Sequence, residues 1–159
     1  MKKVKIIPLF QSLGVCLLAG FVGSLFTFES IPTWYATLNK PFFNPPNWIF
    51  GPVWTLLYIM MGVSLYLVWT ANTKKAEKQQ GMKNFIIQLA LNAIWSIVFF
   101  GMHSPFLALL VIVVLWIMIF QTIKYFRQIS KTAAWLLIPY LAWVSFASLL
   151  NLSIMLLNR

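Results

Sequence analysis

The sequence is poor in everything that soluble enzymes use for chemistry. It carries two acidic residues, Glu29 and Glu77, one histidine, His103, and one cysteine, Cys16. If the apolar runs alternate across a membrane, Glu29 and Glu77 fall on opposite sides, so no carboxylate pair or acid–base dyad can be assembled. A single cysteine excludes an internal disulfide. One histidine with no second histidine and no cysteine partner leaves no zinc site and no conventional nucleophile–base pair. His103 is read as a solvated loop residue. Hydrolytic chemistry has no residues to run on. Charged residues make up only 9% of the chain, and there is no internal repeat and no low-complexity tract.

What is present is apolar. Hydrophobic residues account for 61% of the chain and the mean hydropathy is +0.84, far outside the range of soluble domains. About 20 apolar residues cross the hydrocarbon core as a helix, so 159 residues leave room for five spans in one domain. The apolar runs place these at about 6–28, 48–70, 84–101, 105–126 and 133–157. The fold class expected is an all-α membrane protein, a five-helix bundle with a structured segment between the first and second spans. The run at 6–28 is too long for a signal-peptide core and is read as a retained first helix. Pro139 lies inside the fifth run, where a kink is expected.

The net charge of +10 does not indicate nucleic acid. Ten of the twelve basic residues fall in three clusters: Lys2, Lys3 and Lys5; Lys74, Lys75, Lys78 and Lys83; Lys124, Arg127 and Lys131. Alternating spans bring all three to one side, with Lys40 and Arg159 on the other. This is the pattern of positively charged cytoplasmic loops, and it orients the chain with its N-terminus in the cytoplasm and its C-terminus outside.

One stretch is unlike an ordinary connection. WYATLNKPFFNPPNWIFGPVW, residues 34–54, brings Trp34, Tyr35, Phe42, Phe43, Trp48, Phe50 and Trp54 together with Pro41, Pro45, Pro46 and Pro52. Loops carry function, rigid rings supply binding area at low entropic cost, and the prolines stiffen the backbone. A lid over something flat and apolar is expected, with PTWYATL as a short helix. Within the spans, neutral polar groups stand beside rings. Asn92, Trp95 and Phe99 share a face of the third helix; Tyr140, Trp143, Ala147 and Asn151 lie within roughly an 80° arc of the fifth at about 100° per residue; Trp54 and Tyr58 are one turn apart on the second. An unpaired amide is costly in lipid, so Asn92 and Asn151 turn these faces inward, where they frame an apolar cavity with a few oriented polar groups. Packing, interfacial belts and interhelical glue are the competing readings of the same rings and amides. Ala19, Gly20, Gly23, Ser24 and Thr27 on the first span are read as a helix-packing surface.

Three blocks, WYATLNKPFFNPPNWIFGPVWTLLYIMMG, LALNAIWSIVFFGM and LLIPYLAWVSFASLLN, resemble the signature blocks of the TspO/MBR family of tryptophan-rich sensory and translocator proteins, in order and over nearly the whole chain. The resemblance implies a five-helix bundle, frequently a homodimer. It implies binding of porphyrins and haem-like tetrapyrroles, of sterols in some members, and of benzodiazepine-type compounds, with no cofactor required beyond the tetrapyrrole as ligand. Carried over by position, it assigns Trp34, Trp48, Phe50, Trp54 and Tyr58 to the pocket mouth and second helix, Asn92 and Trp95 to the third, and Tyr140, Trp143, Ala147 and Asn151 to the fifth. Two departures matter. Phe42-Phe43 stands where the family usually carries a tryptophan, which weakens light-driven chemistry from that point. The cholesterol consensus of Leu or Val, then Tyr, then Lys or Arg at short spacing is absent, although that motif is weak evidence even when present. Three functions remain open at this point: a tetrapyrrole-binding sensor, regulator or translocator; a light- and oxygen-dependent porphyrin-degrading enzyme; and a secondary transporter. The last usually needs charged or broken-helix sites at mid-membrane, for which Pro139 alone is thin support.

Overall fold

Chain immersed in hydrocarbon must satisfy its own backbone, which leaves helices as the form open to these apolar runs. A computed structural model describes residues 5–73 and 76–159 and is helical, with no strand among the described residues. Among the described residues, five stretches are long and apolar enough to cross a membrane: Ile6–Ser30, Asn47–Trp69, Ala76–Gly101, Pro105–Ile129 and Lys131–Leu157. The elements are α1 (Ile6–Ser30), the one-turn α2 (Trp34–Thr37), α3 (Phe50–Trp69), α4 (Ala76–Ser96), α5 (Pro105–Ile129), α6 (Lys131–Leu136) and α7 (Ile138–Leu157). A 3-10 turn at Asn47–Ile49 leads into α3, and a π-helical turn at Ile97–Gly101 closes α4.

Helix ends follow local chemistry. The Ser104 side chain accepts from Leu107 N at 3.5 Å and Pro105 occupies the first turn of α5, a position where a missing N–H costs nothing. Ser130 ends α5 and caps α6, accepting from Ala133 N at 3.2 Å. The kink expected at Pro139 is a break at Leu137 between α6 and α7, with the proline in the first turn of α7. The third spanning helix starts at Ala76, two turns before the apolar run at 84–101. Its added turns hold Glu77, Lys78, Gln79, Gln80 and Lys83. Hydropathy marks where a helix sits in hydrocarbon, not where it begins, and Glu77 in the first turn suits the positive end of the helix dipole.

The most extensive packing joins α4 to α5 and α1 to α3, followed by α5 to α7 and α1 to α4; α3 and α7 meet along only a short stretch. α1 and α3 cross where a Cβ on Gly62 would lie 2.9 Å from the Leu13 Cα, so only glycine lets the backbones come this near. Gly20 is also on this seam, against the ring of Tyr58. Lys5 N donates to the Tyr66 hydroxyl at 3.1 Å, joining the start of α1 to the end of α3. At the same end lie Lys78 and Lys83 of α4, Lys124 and Arg127 of α5, and Lys131 of α6. Lys2, Lys3, Lys74 and Lys75 lie outside the described residues. Lys40 and Arg159 are at the opposite end, where Asn39 and Asn158 hold the α2 segment to the end of α7.

Candidate functional site

The segment between α1 and α3 is fastened at several points. Asn39 N donates to Asn158 Oδ1 and Asn158 Nδ2 returns a bond to the Asn39 carbonyl, each at 2.9 Å. The Tyr35 hydroxyl donates to Asn44 Oδ1 at 2.6 Å, and the Lys40 ammonium lies 5.0 Å from the centre of the Tyr35 ring. Trp34 stacks on the His103 ring at 4.5 Å, which ties the segment to the turn between α4 and α5. His103 is solvent-exposed, as the sequence indicated, but it holds φ at 53°, a left-handed conformation. Tyr35 is 2% exposed and lies against Phe50, Phe99 and Phe100. Burial there pushes its phenol up from 10.0 to about 12.

Beneath this lid is a cavity of about 470 Å³ between α1, α3, α4 and α7. Its walls are aromatic on three sides. Trp54 stacks on Tyr58 at 5.7 Å and meets Trp143 edge-on at 6.5 Å; Trp95 stacks on Phe99 at 5.4 Å; Phe50 meets Trp143 edge-on at 6.3 Å. Trp143 Nε1 is buried without a hydrogen-bond partner, whereas Trp95 and Asn151 are bonded. Trp95 Nε1 donates to Asn151 Oδ1 at 3.1 Å, and Asn151 Nδ2 donates to the Pro105 carbonyl at 2.8 Å. Below the cavity a buried relay crosses the bundle: Tyr58 OH donates to Asn92 Oδ1 at 2.6 Å, Asn92 Nδ2 donates to Tyr140 OH at 2.8 Å, and Tyr140 OH donates to Gln88 Oε1 at 2.8 Å. The ring-and-amide faces of three helices therefore meet through hydrogen bonds that fix their rotation, and the cavity is what remains between them.

Eight of the residues singled out from sequence lie in the cavity wall: Trp48, Phe50, Trp54, Tyr58, Trp95, Trp143, Ala147 and Asn151. Three do not. Trp34 lies against His103 and the edge of Phe99, so it braces the lid and does not face the space beneath. Asn92 and Tyr140 are fully buried below the floor and hold Tyr58 in place. Phe42 is fully exposed, whereas Phe43 touches Phe146, which does line the cavity. Among the described residues no group of three or more His, Cys, Asp or Glu is placed to hold a metal.

The TspO/MBR family model matches residues 12–157. The chain belongs to the TspO/MBR family. It is 51% identical over 154 residues to the tryptophan-rich protein TspO of Chlorobaculum tepidum, covering 97% of this chain and 98% of that one. It is 46% identical over 155 residues to the tryptophan-rich protein TspO of Archaeoglobus fulgidus, covering 98% and 99%. It is 42% identical over 134 residues to the translocator protein of Homo sapiens, covering 82% and 78%. A TspO/MBR chain with five bilayer-length helices is an integral membrane protein.

The cavity wall also includes residues that the sequence reading took as a helix-packing surface. Gly20, Gly23, Ser24 and Thr27 of α1 line it; small residues at helical spacing mark close packing and cavity wall alike, and spacing does not separate the two. Phe100 is buried beside Phe99 although a regular helix turns neighbours about 100° apart. The π-helical turn, with Met102 N bonding to the Ile97 carbonyl at 2.8 Å, widens the helix so that both rings face in. Tyr35, the lid residue that closes the cavity, was legible only as one ring among several.

Proposed function

We propose that this protein binds a tetrapyrrole, a porphyrin or haem-like molecule, in the cavity beneath the lid, and acts as a sensor, regulator or translocator of that ligand. The observation that carries the reading is the aromatic box of Trp54, Trp95 and Trp143 around a cavity of about 470 Å³, a size within the roughly 300–1,000 Å³ range of small-molecule sites. A flat, largely apolar macrocycle finds ring faces and edges on several sides; the polar groups of Tyr58 and Trp95 are already paired, and the buried Trp143 Nε1 has no partner. Benzodiazepine-type compounds share the aromatic rings and the apolarity. The human relative is named a translocator protein and the bacterial and archaeal ones tryptophan-rich proteins; the same roles are offered here for this chain. Positive charge at the Lys5, Lys83 and Arg127 end favours a cell-membrane protein with the N-terminus cytoplasmic and the lid outside, working as a homodimer.

Titration of the purified full-length protein with protoporphyrin IX, in the dark and under illumination, tests this reading. Saturable quenching of tryptophan fluorescence is expected in the dark. Trp143→Ala should weaken binding about 10-fold, given about 1–3 kcal/mol per stacked ring. Non-saturable quenching, or affinity unchanged in Trp143→Ala, argues against the site. A new absorbing product formed only under light, above the protein-free control, would move the reading towards porphyrin degradation.

A further inference from the structure

The cavity has a ceiling but lacks one wall. Tyr35 closes it towards the lid, buried at 2% exposure and bonded to Asn44. On the flank between α1 and α3, residues that line the cavity are at the same time exposed: Leu17, Phe21 and Phe28 on α1, and Trp48, Gly51 and Thr55 on the α3 side. A residue that faces both the interior and the surroundings marks a mouth. The two helices are pinned at the opposite end by the Gly62–Leu13 crossing, whereas nothing lies within 4 Å of a Cβ built on Gly51. The slot therefore opens only over the lid half of the pair. At about 1.5 Å per residue it reaches roughly 15 Å along α1 before Gly20 meets the ring of Tyr58, well inside a hydrocarbon core about 30 Å thick.

Its rim is chemically suited to lipid. Thr55 Oγ1 donates to the Gly51 carbonyl at 2.9 Å and Ser24 Oγ donates to the Phe21 carbonyl at 2.7 Å. Each hydroxyl is thus spent on its own helix, and the rim offers carbon. A mouth built to take ligand from water would not need its hydroxyls hidden; one bathed by acyl chains does, because an unpaired polar group there is costly.

We propose that the cavity is loaded sideways from the bilayer, through the slot between α1 and α3, so that its ligands are lipid-dissolved molecules and not solutes captured from water past the lid. This rests on the reading of the cavity as a tetrapyrrole site and narrows it to macrocycles that partition into membrane. Gly51 lines the cavity at this exposed flank, and a Cβ added there meets nothing within 4 Å.

The test uses full-length protein in lipid nanodiscs and the uncharged probe protoporphyrin IX dimethyl ester, followed by stopped-flow tryptophan quenching. The association rate in the wild type should track the mole fraction of probe in the lipid, not its aqueous concentration. Gly51→Phe should slow association by about 10-fold or more, since a narrowed entrance limits the rate of passage. Gly14→Phe on α1, also in open space but away from the cavity, should match the wild type. An unchanged association rate in Gly51→Phe overturns lateral entry while leaving the binding site standing. If Gly51→Phe does not fold, a wild-type rate that follows aqueous probe concentration overturns lateral entry by itself. No saturable binding of the probe to wild-type protein overturns the tetrapyrrole reading instead.

Discussion

Asn92 uses both ends of its amide, accepting from Tyr58 and donating to Tyr140, and so joins α3, α4 and α7 through one side chain. A hydrogen bond between membrane helices averages only about 0.6 kcal/mol, whereas a buried group stripped of its partner costs about 1–3 kcal/mol. The second term decides the effect of Asn92→Ala, which strands the Tyr58 hydroxyl while Tyr140 keeps Gln88, and should destabilise the protein by ~2 kcal/mol in a thermal or denaturant unfolding measurement; a change near zero would mean that Tyr58 finds another partner. Tyr35 makes a prediction in pH. Its phenol is raised from 10.0 to about 12 by burial, so the folded lid holds its proton more tightly than the unfolded chain does. The stability this gives is complete below pH 10 and is lost as pH rises through about 12. Ligand release should therefore accelerate over that window in the wild type and much less in Tyr35→Phe, where no proton can leave. Sequence spacing identified Asn92 and Tyr140 as inward-facing, because amides and phenols avoid lipid. It did not separate wall from floor, since that depends on depth along the helix and not on angle around it.

The elements owe their arrangement to a few close approaches and breaks. Gly62 is the tightest, with the Leu13 backbone 2.9 Å from where a Cβ would stand. Gly62→Val should drive α1 off α3 and lower the melting temperature clearly, in contrast to Gly51→Ala, which meets nothing and adds about 1 kcal/mol of helix propensity at most; equal effects of the two would contradict the crossing described. The number of helices, their order and the break associated with Pro139 were legible because apolar length, proline and capping serine act locally. The early start of α4 at Ala76 was not, since its first turns are as polar as a loop would be. Nor was the π-helical turn at Ile97–Gly101, which brings Phe99 and Phe100 to one side. An extra residue in a turn is set by packing against α1 and α5, which no local pattern records.

As a whole, the molecule is a bundle with two unlike ends. The described basic residues of the three clusters gather at one, and the fastened aromatic lid closes the other. The cavity lies off-centre, in the lid half, between α1, α3, α4 and α7, and α3 barely meets α7. That the aromatic stretch at residues 34–54 forms a lid was legible from its rings and prolines; that residues lining the space beneath it are exposed on the α1 and α3 flank was not, because it depends on how the helices pack. The central claim is that this space is filled by a flat macrocycle, and Ala147 allows the most direct test. It lines the cavity with the smallest side chain of the α7 face, so a phenyl ring placed there occupies the ligand's volume and leaves the hydrogen bonds below untouched. Dark titration of protoporphyrin IX into Ala147→Phe, compared with the wild type, should show saturable one-site quenching in the wild type and a loss of affinity of at least about 10-fold, roughly 1.4 kcal/mol, in the variant. Equal affinity in the two, with the variant folded, would contradict the account.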